Sequence, residues 1–468
     1  MSFARALTRR DWFGRTTTFL GGLAAAGLHG AAGAAGPFPG PHHPARARRV
    51  IFLFQSGGPS QMDLFDPKPV LAAMHGQEIP PSVRGSQATT IMTRFQAAFP
   101  LAKSPFKFTP AGPAGAEFSE LLPHTAGVAN DFTLIRTVCT EPINHDPAAT
   151  FWLTGGERSG RPTVGAWVSY GLGAANRNLP EYVVLLSGVG GQPLQSSYWG
   201  SGFLPTRHQA TQFRPAGDPI LYAANPPGID AESRRRTIDG LNELNRARHA
   251  ETGDPETLTR IHAYEQAARL QTRAPELTDL ASESKEVLDL YGAVPGKPSY
   301  ANNCLMARRL VERGVRFVQL CHRDWDHHAG LRGTLPQVCA ETDRASAALV
   351  TDLKRRGLLD DTLVIWGGEF GRTAFSQGPL SQDVFGRDHH PRCFSVWVAG
   401  GGFKRGLVYG KTDDFGFNTV ENPVHVHDLH ATILHLLGVD HTRLTYRYQG
   451  RDFRLTDVAG QVVHALLA

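Results

Sequence analysis

The chain reads as an α/β protein built on a central, mostly parallel β-sheet sandwiched by helices, and two observations predict this. Six short apolar runs rich in β-branched and aromatic residues lack polar alternation, as strands buried on both faces require. Helical patterns lie between several of these runs, and such alternation argues for a parallel sheet covered by helices. With 468 residues and 41% apolar content, the chain can bury a sizeable core, so disorder is not the default.

The strand runs are RVIFLF (49–54), FTLIRTV (132–138), YVVLLS (182–187), VRFVQLC (315–321), TLVIWGG (362–368) and FSVWVAGGG (394–402). Helical patterns occupy 163–173, 299–314 and 339–357. A shorter helix is expected within NHDPAATFWLTGG (144–156), with Pro147 in its first turn, Asp146 capping free amides and Gly155 as the stop. VHVHDLHATILHLLG (424–438) is an amphipathic helix with Leu429, Ile433, Leu436 and Leu437 facing the core and Asp428 favouring the dipole at its start. Its histidines, His425, His427, His430 and His435, read as part of a packing element rather than as ligands. The charged stretch 230–292 reads as a helical insertion packing over the sheet, either as a lid or as a solvated hairpin with no role in chemistry.

Residues 1–36 read as a targeting segment. Arg9 and Arg10 precede a short apolar stretch, Phe19 to Leu28, and a run of small residues. This resembles a twin-arginine export signal and places the protein in the periplasm or outside the cell. The apolar stretch is about half of the ~20 residues that span a bilayer, so no stable transmembrane anchor is expected. Without this segment the balance of basic and acidic residues changes from 48 against 43 to 44 against 42, which is close to neutral. No basic stripe interleaved with aromatics points to nucleic acid. The five cysteines are odd in number and lack CxxC spacing, which fits neither a disulfide framework nor a zinc ribbon.

In parallel sheets, ligands bind beyond the carboxyl ends of the strands. There the chain has QSGGPSQMD after the first run, CTEPINHD after the second, HRDWDHH after the fourth and EFGRT after the fifth. Asp326 and His328 offer a carboxylate and an imidazole. Glu369 and Arg372 stand at another strand end, and GRDHHPRC adds His389 and His390 before the next strand. The ligand set read from these blocks is Asp326, His328, Glu369 and His390, with Asp324, His327, His389 and Asp63 as further candidates. Mixed imidazole and carboxylate donors suit a divalent metal, zinc first and manganese or iron as alternatives. Arg372 is the candidate for holding an anionic group, and GGPS (57–60) is a candidate anion-binding nest.

Together, the blocks GGPSQMDLFDPKP, NHDPAATFWLTGG, DWDHH, LLDDTLVIWGGEFGRT, GRDHHP, HDLHATILHLLG and GRDFRLTD resemble the alkaline phosphatase and sulfatase superfamily. They are most similar to its exported sulfatase-like branch, domain-of-unknown-function family 1501, from about Val50 to Val463. The resemblance implies an alkaline-phosphatase-like domain over 48–468 and a site of one or two metals. It also implies attack on phosphate or sulfate esters, small or polymeric, sulfated polysaccharide among them. In that pattern Asp326, His328 and His390 form one metal site, Glu369 replaces an aspartate, and Asp428 matches a late helix motif. The chain departs from the pattern at Gln55 and Ser56, where paired acids are usual, and at Phe370. In sulfatases the nucleophilic cysteine of a Cys-x-Pro motif precedes the threonine of a Thr-Gly helix end by nine residues. Here His145 stands nine residues before Thr154, in HDP, where no Ser, Thr or Cys is found. His145 is therefore a catalytic candidate, as base or nucleophile, unless water bound to the metal attacks directly. The opposing expectation is an envelope protein that keeps this fold, has lost catalysis and binds sulfated or phosphorylated glycans.

Overall fold

A computed structural model describes residues 40–468 except 88, 177, 189–191, 215–219, 221–224, 226–227 and 382–383, and without the side chains of 255 and 272–275. The segment read as an export signal lies outside the described residues. Among the described residues, no helix is long and apolar enough to cross a membrane.

The strands that concern the site are, in chain order, β1 (Arg49–Gln55), β2 (Phe132–Cys139), β3 (Tyr182–Ser187), β4 (Thr211–Phe213), β5 (Phe317–His322), β6 (Thr362–Gly367), β7 (Gly371–Gln377), β8 (Gly386–His390), β9 (Phe394–Ala399), β10 (Leu407–Tyr409) and β11 (Val424–His425). Nine of them form one sheet in the order β10-β2-β9-β6-β1-β5-β3-β4, with β11 also paired to β2. β9 runs antiparallel to both its neighbours, β2 and β6, and every other pairing is parallel. The carboxyl ends of β1, β2, β5 and β6 therefore share one edge, where Gln55 pairs with His322 and Phe54 with Gly367. β7 and β8 form a separate antiparallel ribbon.

Every apolar run read as a strand forms one, and the boundaries have physical reasons. β9 stops at Ala399 because Gly400, Gly401 and Gly402 turn the chain with φ of 68°, 55° and 96°. Alternation along β1 puts Ile51 and Leu53 in one layer with Leu305, Leu310 and Leu349. Phe52 points the other way, with its ring 5.6 Å from that of Trp152.

The helices around the sheet are α1 (His145–Thr154), α2 (Val164–Leu172), α3 (Ala231–Thr252), α4 (Pro255–Thr278), α5 (Tyr300–Glu312), α6 (Leu331–Arg355) and α7 (Val426–Leu436). α6 starts eight residues before the predicted 339 and runs through Pro336. Burial of Leu331, Leu335, Val338 and Cys339 on its inner face outweighs the backbone hydrogen bond that proline removes. α7 buries Leu429, Ile433 and Leu436 with Leu437 just beyond, as its periodicity predicts.

The insertion is a hairpin of α3 and α4, and it does not lie directly over the sheet. α3 buries only Ile238 and Asn242 and is tied to α4 by Asn242 Nδ2 donating to Glu265 Oε1 at 2.8 Å. α4 sends Leu270 and Leu277 into the core. Arg309 of α5 donates to the carbonyl of Leu277 at 2.8 Å, so α5 stands between the hairpin and the strands.

Candidate metal centre

Four side chains from three separate chain segments converge at the carboxyl edge of the sheet. One ligand atom each from His145, Asp326, His328 and His389 lies within 4.8 Å of all the others. His145 is the first residue of α1, and the extended backbone of Asn144 ahead of the helix turns its ring toward the sheet edge. Asp326 and His328 follow β5. The turn that carries them is set by Asp324, which takes the left-handed φ of 84°, and by Trp325, whose buried ring donates to Gln55 Oε1 at 3.0 Å. His389 comes from β8 and faces Arg372 of β7 across the ribbon.

Asp326 is the hub. Its Oδ1 lies 2.8 Å from His328 Nε2, 2.6 Å from Arg372 Nη2 and 3.5 Å from His389 Nε2, and its Oδ2 lies 3.0 Å from His145 Nε2. The Nε2 atoms of His328 and His389 are 3.0 Å apart. On the far side of each ring, Nδ1 has an acceptor: Glu369 Oε1 at 2.7 Å for His145, the carbonyl of Ile143 at 2.7 Å for His389, and Gln377 Oε1 for His328. A ring that donates from Nδ1 leaves its Nε2 lone pair outward, so all three imidazoles present a ligand atom to one point.

Two features fit a cation at that point. His145 Nε2 is buried without a properly aligned hydrogen-bond partner, despite its closeness to Asp326. Two imidazole Nε2 atoms 3.0 Å apart repel unless a proton or a cation lies between them. Three imidazole nitrogens and one carboxylate suit Zn²⁺ and are compatible with manganese or iron.

The electrostatics follow from the same contacts. Burial disfavours a charged His145, but the two carboxylates against its ring, Asp326 and Glu369, outweigh it and push the imidazole up to about 9. Burial would raise Asp326, yet His145, His328, His389 and Arg372 hold it well below the usual carboxylate range. His389 is brought down to about 4, by burial first and by the charges of Arg372 and His145 next. In the metal-free protein a proton on His145 thus sits between two carboxylates.

Several expected site residues fall elsewhere. His390 does not join the group: its Nε2 bonds the carbonyl of Phe417 at 2.6 Å, and its Nδ1 lies 2.9 Å from Gln87 Nε2. Successive residues of a strand point to opposite faces, so β8 can present only one of its two histidines, and that one is His389. Glu369 lies behind His145 rather than in the group, and both its oxygens also accept from the Gly57 amide, at 3.0 and 3.1 Å. Asp324 is exposed, and His327 is buried outside the group. Asp63 is fully buried against Arg387, with Nε 2.7 Å from Oδ2.

Arg372 is not available to hold an external anion. It is 1% exposed, and its guanidinium donates to the carbonyls of Gly57, Gly58 and Arg387 as well as to Asp326. GGPS serves the same framework. A Cβ on Gly57, at φ of 120°, would lie 2.6 Å from the Asp326 amide, so the close approach of this turn to the Asp326 loop needs glycine. Asp146 does not cap α1, for its Oδ1 accepts from Tyr198 Oη at 2.9 Å and Gln195 Nε2 at 3.0 Å. Phe370 packs beneath the cluster, its ring centroid 4.4 Å from His389 and 4.9 Å from His145. Gln55 turns away to Tyr300 Oη and Trp325. Among the described residues, the cluster of His145, Asp326, His328 and His389 is the one group with metal-ligand spacing. Gln377 and the Ile143 carbonyl escaped the sequence reading because nothing in one chain's spacing marks an acceptor behind a ligand.

Sheet and cluster together define the class: a layered α/β protein with a His/Asp constellation at the carboxyl edge of its parallel strands. Within it, the chain belongs to the family described as Protein of unknown function (DUF1501), whose sequence model matches residues 47–467. No curated protein matches the chain. Among solved structures it is similar to a sulfatase from Pseudoalteromonas sp. (14% identity, 84% of this chain and 68% of that one, TM-score 0.35). It is also similar to an alkaline phosphatase from the Antarctic bacterium TAB5 (9%, 84% and 98%, 0.32) and to the lipoteichoic acid synthase LtaP from Listeria monocytogenes (9%, 88% and 74%, 0.33). At these scores nothing about substrate or activity passes from those proteins to this chain.

Proposed function

We propose that the protein is an exported metal-dependent hydrolase of phosphate or sulfate esters, with His145, Asp326, His328 and His389 holding one divalent cation. The observation that carries the proposal is the three-imidazole, one-carboxylate convergence in which every Nδ1 has an acceptor. A cation held there supplies Lewis-acid polarisation of an ester oxygen and a nucleophilic water near neutral pH.

The surrounding residues divide the work. Arg372 holds Asp326 in place and offsets part of its charge, because its nitrogens are committed inside the protein. Glu369 fixes the ring and tautomer of His145. His145 is thereby a ligand, with Nδ1 engaged and Nε2 aimed into the cluster, which argues against a role as free base or covalent nucleophile. Among the described residues, none of the side-chain hydrogen bonds of the four cluster residues involves a Ser, Thr or Cys hydroxyl or thiol. Attack by water is the step this site favours.

The test is elemental analysis of protein purified without added metal, followed by assay against sulfate and phosphate monoesters. About one equivalent of zinc, manganese or iron, with metal-dependent turnover, is expected. Absence of any bound transition metal would remove the basis of the reading. The second reading, an envelope protein that binds sulfated or phosphorylated glycans without cleaving them, draws on Gln55 being locked to Tyr300 and Trp325 where paired acids are usual. Glycan binding that survives Asp326→Ala, with no turnover by the metal-loaded protein, would favour it.

A further inference from the structure

The segment 90–95 carries three exposed large apolar side chains close together in the chain. Ile91, Met92 and Phe95 are 77%, 56% and 83% exposed, while Thr90 just before them and Thr93 among them are buried. The inward threonines bolt the tip down. Thr90 Oγ1 lies 2.8 Å from both carboxylate oxygens of Asp388, and Thr93 Oγ1 donates to the same carboxylate. The Arg94 amide donates to the Thr90 carbonyl at 3.0 Å, and Gln96 clasps the β7 end through the Ser376 carbonyl and the Gly378 amide. Exposed large apolar side chains on an ordered support need a partner to explain them.

The charge around the tip identifies the partner's chemistry. Between Ile79 and Ala116 the chain has Arg84, Arg94, Lys103 and Lys107 and no acidic residue. The Arg94 guanidinium lies 5.4 Å from the Phe95 ring centroid, so a cation stands directly beside the tip, while Arg84 lies 4.4 Å from the buried ring of Phe99. Three convex side chains fall far short of the roughly 800 Å² per partner of a stable protein interface. They match the interfacial pattern of a few Ile, Met or Phe side chains entering the acyl boundary beside basic residues that meet anionic headgroups. We infer that Ile91, Met92 and Phe95 seat the protein on an anionic lipid surface, with Arg94 at headgroup level. Asp388 precedes His389 in β8, so this seat is fastened to the strand that carries one of the cluster histidines.

Flotation of the full chain tests this, with phosphatidylcholine vesicles containing about one-third phosphatidylglycerol against phosphatidylcholine alone. The parent should float with the anionic vesicles, less so at high salt. Ile91→Ser, Met92→Ser and Phe95→Ser together should lower partitioning about tenfold or more while circular dichroism and metal content stay unchanged. Because the amino-terminal apolar stretch is common to both chains, a second readout is specific to the tip. Phe95→Trp should add a fluorescence component quenched by brominated acyl chains that the parent lacks. Equal flotation of parent and triple variant, or no added quenching, would overturn the inference. So would concentration-dependent self-association that the triple variant loses while vesicle binding is absent.

Discussion

His145 Nδ1 lies 2.7 Å from Glu369 Oε1, and Glu369 is fully buried and also accepts from the Gly57 amide. One carboxylate thus joins the start of α1, the end of β6 and the turn after β1. Glu369→Gln keeps the shape of the side chain but removes the charge that fixes the His145 tautomer. Metal affinity should fall about 10- to 100-fold, measured by competition with a chromogenic chelator. An unchanged affinity would reduce Glu369 to a structural role.

The two adjacent histidines of β8 separate this site from the one implied by sequence. His389→Ala should abolish stoichiometric metal binding, whereas His390→Ala should keep about one equivalent, since His390 bonds Phe417 and Gln87 away from the cluster. Elemental analysis of the two purified variants decides between the assignments. His145→Ala should likewise lower metal content more than His435→Ala, because His435 is not in the cluster and its ring lies against those of His43 and His464.

These contrasts show how far the sequence could be read. The sheet was legible because runs such as Val50 to Phe54 are apolar at every position, which only strands buried on both faces tolerate. The site edge was legible too, because Asp326, His328 and Glu369 directly follow such runs. Which of His389 and His390 points inward depends on the bulge between Arg387 and His389, and spacing does not encode it. The role of Arg372 was also hidden: an arginine after a strand suits an anion ligand and a buried brace equally well, and only the carbonyls of Gly57, Gly58 and Arg387 around it decide. Asp146 misled for a similar reason, as its acceptors were committed to Tyr198 and Gln195 fifty residues on.

If Arg372 is a brace, its loss should register first in stability. Arg372→Met leaves the Asp326 carboxylate short of its buried cationic partner and strands three carbonyls inside the protein. Removing one partner of a buried ion pair costs about 3–5 kcal/mol. Urea denaturation should show a loss of that order. Arg372→Lys should recover only part of it, since a lysine cannot span the same fork of acceptors. A variant of parental stability with only a raised KM for an anionic ester would return Arg372 to substrate binding.

Acid should unfold the protein through histidines far from the cluster. Burial, with Arg207 and His262 nearby, lowers His208 from 6.5 to about 3, and burial with the neighbouring His427 lowers His430 to about 3. Both are neutral in the folded protein: His208 Nδ1 meets Ser169 Oγ at 2.8 Å, and His430 Nε2 bonds the Trp152 carbonyl at 2.9 Å. The unfolded chain takes up these protons near 6.5, whereas the folded chain resists them until about 3. Each contribution is therefore fully present above pH 6.5 and is lost as pH falls from 6.5 toward 3. While both are in that window, each removes roughly 1.4 kcal/mol per pH unit. Stability measured by urea denaturation should drop steeply as pH falls below about 6. His208→Gln and His430→Gln, whose amides do not titrate, should each flatten that slope by about one proton. A slope unchanged in both variants would assign the acid sensitivity to other buried histidines held below 6.5, His389 and His390 among them.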